Sequence, residues 1–501
     1  MTEHTDVVVI GAGHNGLVCA SWLARAGKKV ICVDAASDVG GMARLAHLAY
    51  PLCDSIRKGL KLEHCGYVPG TPVDTIALAA DGKHLTIRQD GVSGHGLCQA
   101  DIDAYSEFRS RYLAFAKALR PLLENKPPRL KNMPFADTRM LAKLGWNVRV
   151  RLGRDAMYEL LRVAAMNIYD VLDETFEDDR LKGAIAVDGV LGSAMGPRTP
   201  GTVLTWLQRL SGELNGPLSR QEPGSGNLID ALEQSARDAG VEFRLGSRVQ
   251  KIHVEGGAAR RVTFADGDSL TADVVASSVD PRVTFGDLVG APALDAMFAN
   301  RVQQIRGKGV TGTLNLTLSG RPTFSGLDDS QLDNRLLVAP SMKYIEQAFN
   351  FSKYGECSER PLLEIVLPRN QGAHHTVSIN ASYLPYDLQA GWENSKDDVS
   401  RQLISLLAQY APGLDRLVVA SDLRTPADIE HEYGAVGGHW HHGELSMHQS
   451  FMMRPLYGAA QYDTPIEGLF LCGAGSHPGG GLHGLAGRNA ARRILEKRGS
   501  T

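Results

Sequence analysis

Cysteine is scarce and scattered in this chain of 501 residues. The seven (Cys19, Cys32, Cys53, Cys65, Cys98, Cys357 and Cys472) include no C-x-x-C pair. That spacing points away from a disulfide framework, a zinc site or a redox-active dithiol, and the odd count suits a reducing cytosol. Long apolar runs are missing as well, because none approaches the roughly 18 residues that cross a bilayer. The chain therefore reads as soluble and cytoplasmic, with a peripheral membrane contact left open. Neither sign of charge dominates: 53 Lys and Arg face 56 Asp and Glu, a formal net charge of −3. Such a balance leaves no footprint for nucleic acid. Internal repeats and low-complexity tracts are absent too. The first apolar run starts at Val7, which leaves no room ahead of it for a signal or transit peptide.

What is present is concentrated at the two ends. Val7 to Ile10 reads as a buried parallel strand, followed by Gly11, Gly13 and Gly16 in G-x-G-x-x-G spacing. A helical pattern runs from Leu17 to Ala26, stopped by Gly27, and a second strand, Lys29 to Val33, ends in Asp34. In such a unit Gly11 makes the tight turn and Gly13 lets the backbone approach a pyrophosphate. Gly16 lets helix and strand pack closely, the helix N-terminus faces phosphate, and Asp34 accepts from a ribose 2′-OH. An acid at that position suits FAD or NAD better than NADP. Just beyond, Ser37-Asp-Val-Gly-Gly-Met-Ala-Arg44 places Gly41 and Arg44 where they suit cofactor phosphates and ribitol.

Between the ends, Thr75 to Ala79 and His84 to Arg88 suit a small antiparallel sheet around Asp81-Gly82. Residues 101–210 are mostly helical in pattern, broken at Asn125-Lys-Pro-Pro-Arg-Leu-Lys, and read as a substrate lid. Gly224-Ser-Gly-Asn-Leu opens a helix through Ala239. A meander with strands at Val241 to Leu245, Val249 to Val254 and Ser269 to Ser277 then rejoins the nucleotide sheet. Residues 308–320 and 361–384 alternate as strands of a second, mixed sheet. The expected fold is α/β: a Rossmann-type FAD-binding domain (1–70, 220–290 and 460–501) intertwined with a mixed-sheet substrate domain (71–219 and 291–459) carrying the helical lid.

The far end supplies the second signal. Leu469 to Cys472 reads as a short buried strand, Gly473 to Gly481 as a glycine-rich loop, and a helix follows from Leu482 to about Lys497. Its N-terminus would face the flavin N1/O2 edge and favour the reduced, negatively charged ring. A nicotinamide enzyme needs no such element, so the pair of ends selects FAD over NAD.

Four stretches resemble one family. They are Val9-Ile-Gly-Ala-Gly-His-Asn-Gly16, Thr425-Pro-Ala-Asp-Ile-Glu-His-Glu-Tyr-Gly434, Gly437-Gly-His-Trp-His-His-Gly-Glu-Leu-Ser-Met-His-Gln449 and Leu471-Cys-Gly-Ala-Gly-Ser-His-Pro-Gly-Gly-Gly481. Together they are similar to the FAD-dependent phytoene desaturase, carotenoid isomerase and retinol saturase relatives of the amine-oxidase-like flavoproteins. Lys353 to Glu364 and Tyr386 to Trp392 resemble the branch of bacterial oxidoreductases similar to the mammalian pyridine nucleotide-disulphide oxidoreductase domain-containing protein. The resemblance spans nearly the whole chain. It implies FAD held by Gly11, Gly13, Asn15, Gly16, Asp34, Gly41, Arg44, Gly473 and the start at Leu482, His483 and Gly484, with the Val249 backbone meeting adenine. Ala474 stands where many relatives carry an acid, and Leu45 to Gly70 is compressed relative to longer desaturases. Without C-x-x-C, disulphide chemistry is not expected.

Hydride transfer to flavin N5 rests on the cofactor, and loss of the second proton to form C=C calls for a base such as His. His442, Glu444 and His483 are the catalytic candidates. His439, His441, His442 and His448 invite a metal reading, but they lack the helical spacing of a metal pair, so no metal is expected. Trp440, Tyr433 and Phe451 are candidate walls of an apolar pocket. The expected activity is dehydrogenation or desaturation of a hydrophobic small molecule, with dioxygen or a quinone reoxidising the flavin. A redox-neutral isomerase, an amine oxidase or an FAD-stabilised interaction protein are the alternatives.

Overall fold

The computed structural model describes residues 3–129, 133–221, 228–368 and 374–498. Its first sheet has seven strands. Glu3–Ile10 lies at the centre, parallel to Val30–Val33 on one side and to Ser269–Ser277 on the other. Glu242–Arg244 continues the parallel order at one edge. The strands Ala258–Phe264 and Val249–Glu255 form an antiparallel meander at the other edge. Leu469–Leu471, from the far end of the chain, pairs in parallel with the last residues of Ser269–Ser277.

Strand alternation explains the two-faced burial of this sheet. Val7 and Val9 point into a core shared with Leu17, Leu23, Leu232 and Ile494 from the helices His14–Arg25, Leu228–Asp238 and Leu485–Arg498. Val8 and Ile10 point the other way, towards Phe285, Phe298 and Val302. Glycine allows the first and last of these helices to touch. A Cβ on Gly487 would lie 2.0 Å from the Asn15 carbonyl oxygen, so no other residue fits there without separating them.

The second sheet has eight strands. Its order is Val418–Arg424, Thr311–Leu318, His375–Ser382, Leu363–Val366, Arg335–Val338, Thr75–Ala77, Leu85–Ile87 and Val92–Gly94. All neighbours are antiparallel except Arg335–Val338 with Thr75–Ala77, which makes the sheet mixed. One face is covered by Trp392–Ala408 through Val399, Leu403 and Leu406. Over the other lies the helical layer of Gln99–Glu124, Phe135–Trp146, Arg154–Val163, Ile168–Asp173, Asp179–Val190 and Thr202–Leu210. Phe108, Tyr112, Phe115 and Trp206 form its aromatic centre, with Phe108 and Trp206 centroids 5.3 Å apart. A small sheet of Leu48–Ala49, Thr71–Pro72 and Ser219–Arg220 sits where the chain passes between the two layers.

Several boundaries differ from the sequence reading. The first helix begins at His14 rather than Leu17, directly after Gly13. The last begins at Leu485, three residues beyond Leu482, because Gly484 is left-handed (φ +66°) and ends the preceding loop. The expected helix opening at Gly224 to Asn227 lies outside the described residues.

Contact across Gly487 gives a direct test. Gly487→Ala is expected to lower stability by about 1–3 kcal/mol through overpacking. Gly145→Ala, in an exposed helix with nothing within 4 Å of the added Cβ, is expected to gain up to about 1 kcal/mol. Urea unfolding of both variants checks the contrast.

Candidate cofactor and substrate site

The nucleotide end is built by backbone geometry. Gly11 turns at φ +96° and donates its N–H to the Val33 carbonyl at 2.8 Å. A Cβ on Gly16 would sit 1.9 Å from the Gly11 oxygen, so this glycine is what lets helix and strand close. One on Gly13 would meet nothing within 4 Å, because that position faces a cavity. Asp34 accepts the Ala12 N–H through Oδ2 at 2.6 Å and the Ala36 N–H through Oδ1 at 2.8 Å. Its carboxylate is therefore fixed on the cavity wall, ready for a hydroxyl donor. Arg44 donates from Nε to the Val39 carbonyl at 2.6 Å and reaches Asp230 at 3.5 Å, which orients it at the same wall.

The cavity holds about 820 Å³. It runs from Gly11, Gly13, Asp34 and Val249, past Gly41 and Arg44, to His442, Leu482 and His483, and on to Asp188, Arg209 and Asn380. At the N-terminus of His14–Arg25 no side chain caps the helix and its first turn carries no acid, so its positive end stays available to phosphate. Asn15 Oδ1 and His14 Nε2 are buried without a hydrogen-bond partner, and both residues line this cavity. Orphaned polar atoms beside an uncapped helix and a fixed ribose acceptor fit a dinucleotide cofactor of the FAD type. Asp34, Gly13 and Asn15 would hold its adenosine and phosphates, and Leu482 and His483 would border its ring.

Three of the candidate cofactor residues support the site from behind. Gly16, Gly473 and Gly484 do not border the cavity. A Cβ on Gly473 would lie 2.2 Å from the Ser278 carbonyl oxygen, and one on Gly484 would lie 3.0 Å from Val18. Their job is close packing.

The catalytic candidates separate in the same way. His483 lines the cavity, but Nδ1 accepts the Leu485 N–H at 3.1 Å and Nε2 donates to the Gly479 carbonyl at 3.2 Å. With both nitrogens committed, it caps the final helix and has no free position for proton transfer. Glu444 is buried away from the cavity wall, 3.5 Å from His439 Nε2, so it is set aside as a base that meets substrate. His442 does border the cavity, at a left-handed φ of +51°, with Nδ1 buried and unpartnered. Trp440 and Tyr433 are wall residues, whereas Phe451 packs near His477 with ring centroids 6.1 Å apart. Among the described residues no group of three His, Cys, Asp or Glu is placed to hold a metal.

Two further residues escaped the sequence reading. His14, inside the glycine motif, brings an orphaned Nε2 to the cavity, and only its position between Gly13 and Gly16 signalled it. Arg454 is 1 % exposed and donates to the carbonyls of His441 (2.7 Å), Glu444 (2.7 Å) and Ala474 (3.0 Å). It ties the histidine loop to the glycine-rich loop, and nothing in its neighbourhood marked it.

Burial keeps these histidines neutral. It draws His14 down to about 3, helped by nearby His483 and His442, and both His483 and His477 down to about 4. Their unfolded values lie near 6.5, so between there and about 4 the unfolded chain binds more protons. Stability is then full above about pH 7 and falls as pH drops, by about 1.4 kcal/mol per pH unit for each such histidine. Urea unfolding at a series of pH values is expected to show this steep acid-side loss. A flat response from about pH 7 to pH 5 would contradict the burial.

Comparison with known proteins fits this geometry. The family described as flavin containing amine oxidoreductase matches residues 80–495, and an NAD(P)-binding Rossmann-like domain matches residues 9–65. The mouse pyridine nucleotide-disulfide oxidoreductase domain-containing protein 2 is 30% identical over 98% of this chain and 93% of its own length. A limonene dehydrogenase component of Castellaniella defragrans is 26% identical over 99% of this chain and 95% of its own. Putrescine oxidase bound to putrescine shares the fold, with a TM-score of 0.62 at 15% identity over 100% of both chains. The chain belongs to the flavin-containing amine oxidoreductase family and is an FAD-dependent oxidoreductase.

Proposed function

We propose that this oxidoreductase dehydrogenates an organic substrate to an alkene, in the manner of a desaturase. When bound, FAD supplies the acceptor for a hydride at flavin N5. The protein's share of the reaction is to orient the substrate, exclude water and receive the remaining proton. Loss of a hydride from one carbon and a proton from its neighbour leaves a double bond, with both electrons departing in the hydride. His442 Nδ1 is the proposed proton acceptor, and His14 Nε2 is the alternative atom beside it in the same cavity. Both rings are held neutral, the form that accepts a proton. Leu191, Trp440 and Leu445 give the reacting carbons an apolar wall. Dioxygen or a quinone is the proposed terminal oxidant.

The observation that carries this reading is the single cavity that joins the Asp34 end to unpartnered histidine nitrogens flanked by apolar side chains. An imidazole serving as base typically contributes about a hundredfold or more. Anaerobic incubation of the flavin-loaded protein with candidate saturated substrates is expected to bleach the flavin band, and air is expected to restore it. His442→Ala is expected to slow bleaching about a hundredfold while leaving flavin content unchanged. Turnover that requires pre-reduced flavin would instead indicate a redox-neutral isomerase. Absence of bleaching with every class of substrate would favour a flavin-stabilised interaction protein.

A further inference from the structure

Where the cavity meets the second sheet its wall carries charge. On the second sheet Thr313, Asn380 and Glu364 stand side by side on three adjacent strands. Thr313 Oγ1 donates to Asn380 Oδ1 at 3.1 Å, and Asn380 Nδ2 donates to Glu364 Oε2 at 3.0 Å. Arg335, from the next strand, donates through Nε to Glu364 Oε1 and through Nη2 to Asp188 Oδ1, both at 2.7 Å. The same Asp188 oxygen accepts Nε of Arg209 at 2.7 Å. Asp188 belongs to Asp179–Val190 and Arg209 to Thr202–Leu210, so two lid helices and four strands meet at this point.

Not all of the network is sealed inside the protein. The Arg335 and Glu364 side chains are 2% and 5% exposed, whereas Arg209 keeps 27% of its surface open and lines the cavity. Among the described residues the only hydrogen bond of the Arg209 side chain is the one from Nε, and its Nη2 stands 3.9 Å from Glu364 Oε1. Two guanidinium groups and two carboxylates balance in charge, and Arg335 engages both acids. The terminal N–H groups of Arg209 are therefore the donors left for something else. Its orientation is also fixed from the cofactor side, since the preceding residue, Gln208, donates to the Gly479 carbonyl at 2.6 Å.

A guanidinium held through Nε presents its terminal nitrogens as a planar fork that matches a carboxylate. A wholly hydrocarbon ligand would strip water from those N–H groups and offer no acceptor in return, which is costly in a buried site. We propose that Arg209 binds a carboxylate on the substrate, so that the substrate is an amphiphile with its acid end at Arg209 and its apolar portion beside Leu191, Trp440 and Leu445. This rests on the reading of the cavity as the dehydrogenation site. It also narrows the expected hydrophobic substrate to one with a charged terminus.

The test reads binding rather than turnover, so it stands or falls separately from dehydrogenation. Dodecanoate, dodecanol, dodecylamine and dodecane are titrated anaerobically into the flavin-loaded protein, with equilibrium dialysis of labelled dodecanoate alongside the flavin absorbance. Dodecanoate is expected to bind at least tenfold more tightly than the other three. Arg209→Gln is expected to weaken dodecanoate roughly tenfold to hundredfold and leave dodecanol unchanged. Because Arg209 also supports Asp188, Arg209→Lys keeps a cation there while losing the fork, and it is expected to give an intermediate loss with wild-type flavin content. Equal binding of dodecanoate and dodecanol, undetectable dodecanoate binding, or wild-type affinity in both variants would overturn the proposal.

Discussion

The architecture depends on backbone touching backbone where only glycine fits. Gly16 closes the first helix on its own strand, Gly487 lays the last helix across the first, and Gly473 lets the final strand reach Ser278. A Cβ on any of the three would lie 1.9 to 2.2 Å from a backbone carbonyl oxygen, so each side chain is excluded by hard contact rather than by preference. Because these contacts hold, residues almost the whole chain length apart share one crevice. The two ends then supply different services: an uncapped helix N-terminus beside Asp34 from the first, and a glycine-rich loop beside the cavity from the last.

Burial sets the chemistry of that crevice. His14, His441, His442 and His483, which line it, are all driven toward the neutral form by loss of water, and several reinforce one another as neighbouring bases. Arg454 is the buried cation among them, and desolvation draws it down to about 10. Carbonyl oxygens take its N–H groups, so it acts as a cross-brace between two loops. His442 keeps its left-handed backbone in the braced loop, where surrounding structure over-determines a conformation that costs of order 1–3 kcal/mol. Where the cavity meets the second sheet, charge is tolerated because each carboxylate is met by a guanidinium, with one fork left facing inward.

Local pattern carried much of this into the sequence. The run from Val7 to Asp34 is contiguous, and each of its glycines and its acid does a job fixed by short-range geometry, so its folding was legible. The reading of residues 101–210 as helical also followed from periodicity alone. Other features were set by contacts that no window contains. The last helix starts at Leu485 because a histidine side chain caps it and Gly484 turns left-handed, features invisible to apolar spacing. Glu444 turns away from the cavity because Arg454 holds its carbonyl and His439 attracts its carboxylate. Asp188 and Arg209 read as ordinary polar positions on amphipathic helices. Their meaning appears only when Arg335 and Glu364 arrive from strands more than a hundred residues later.

The central claim is that the two ends of the chain close together around one cofactor. Amide hydrogen exchange measured on the flavin-free and FAD-loaded protein tests it most directly. FAD is expected to slow exchange at residues 11–16 and at residues 480–490 together, with the same dependence on FAD concentration. Protection confined to the first segment, with exchange in the second unchanged at saturating FAD, would contradict it.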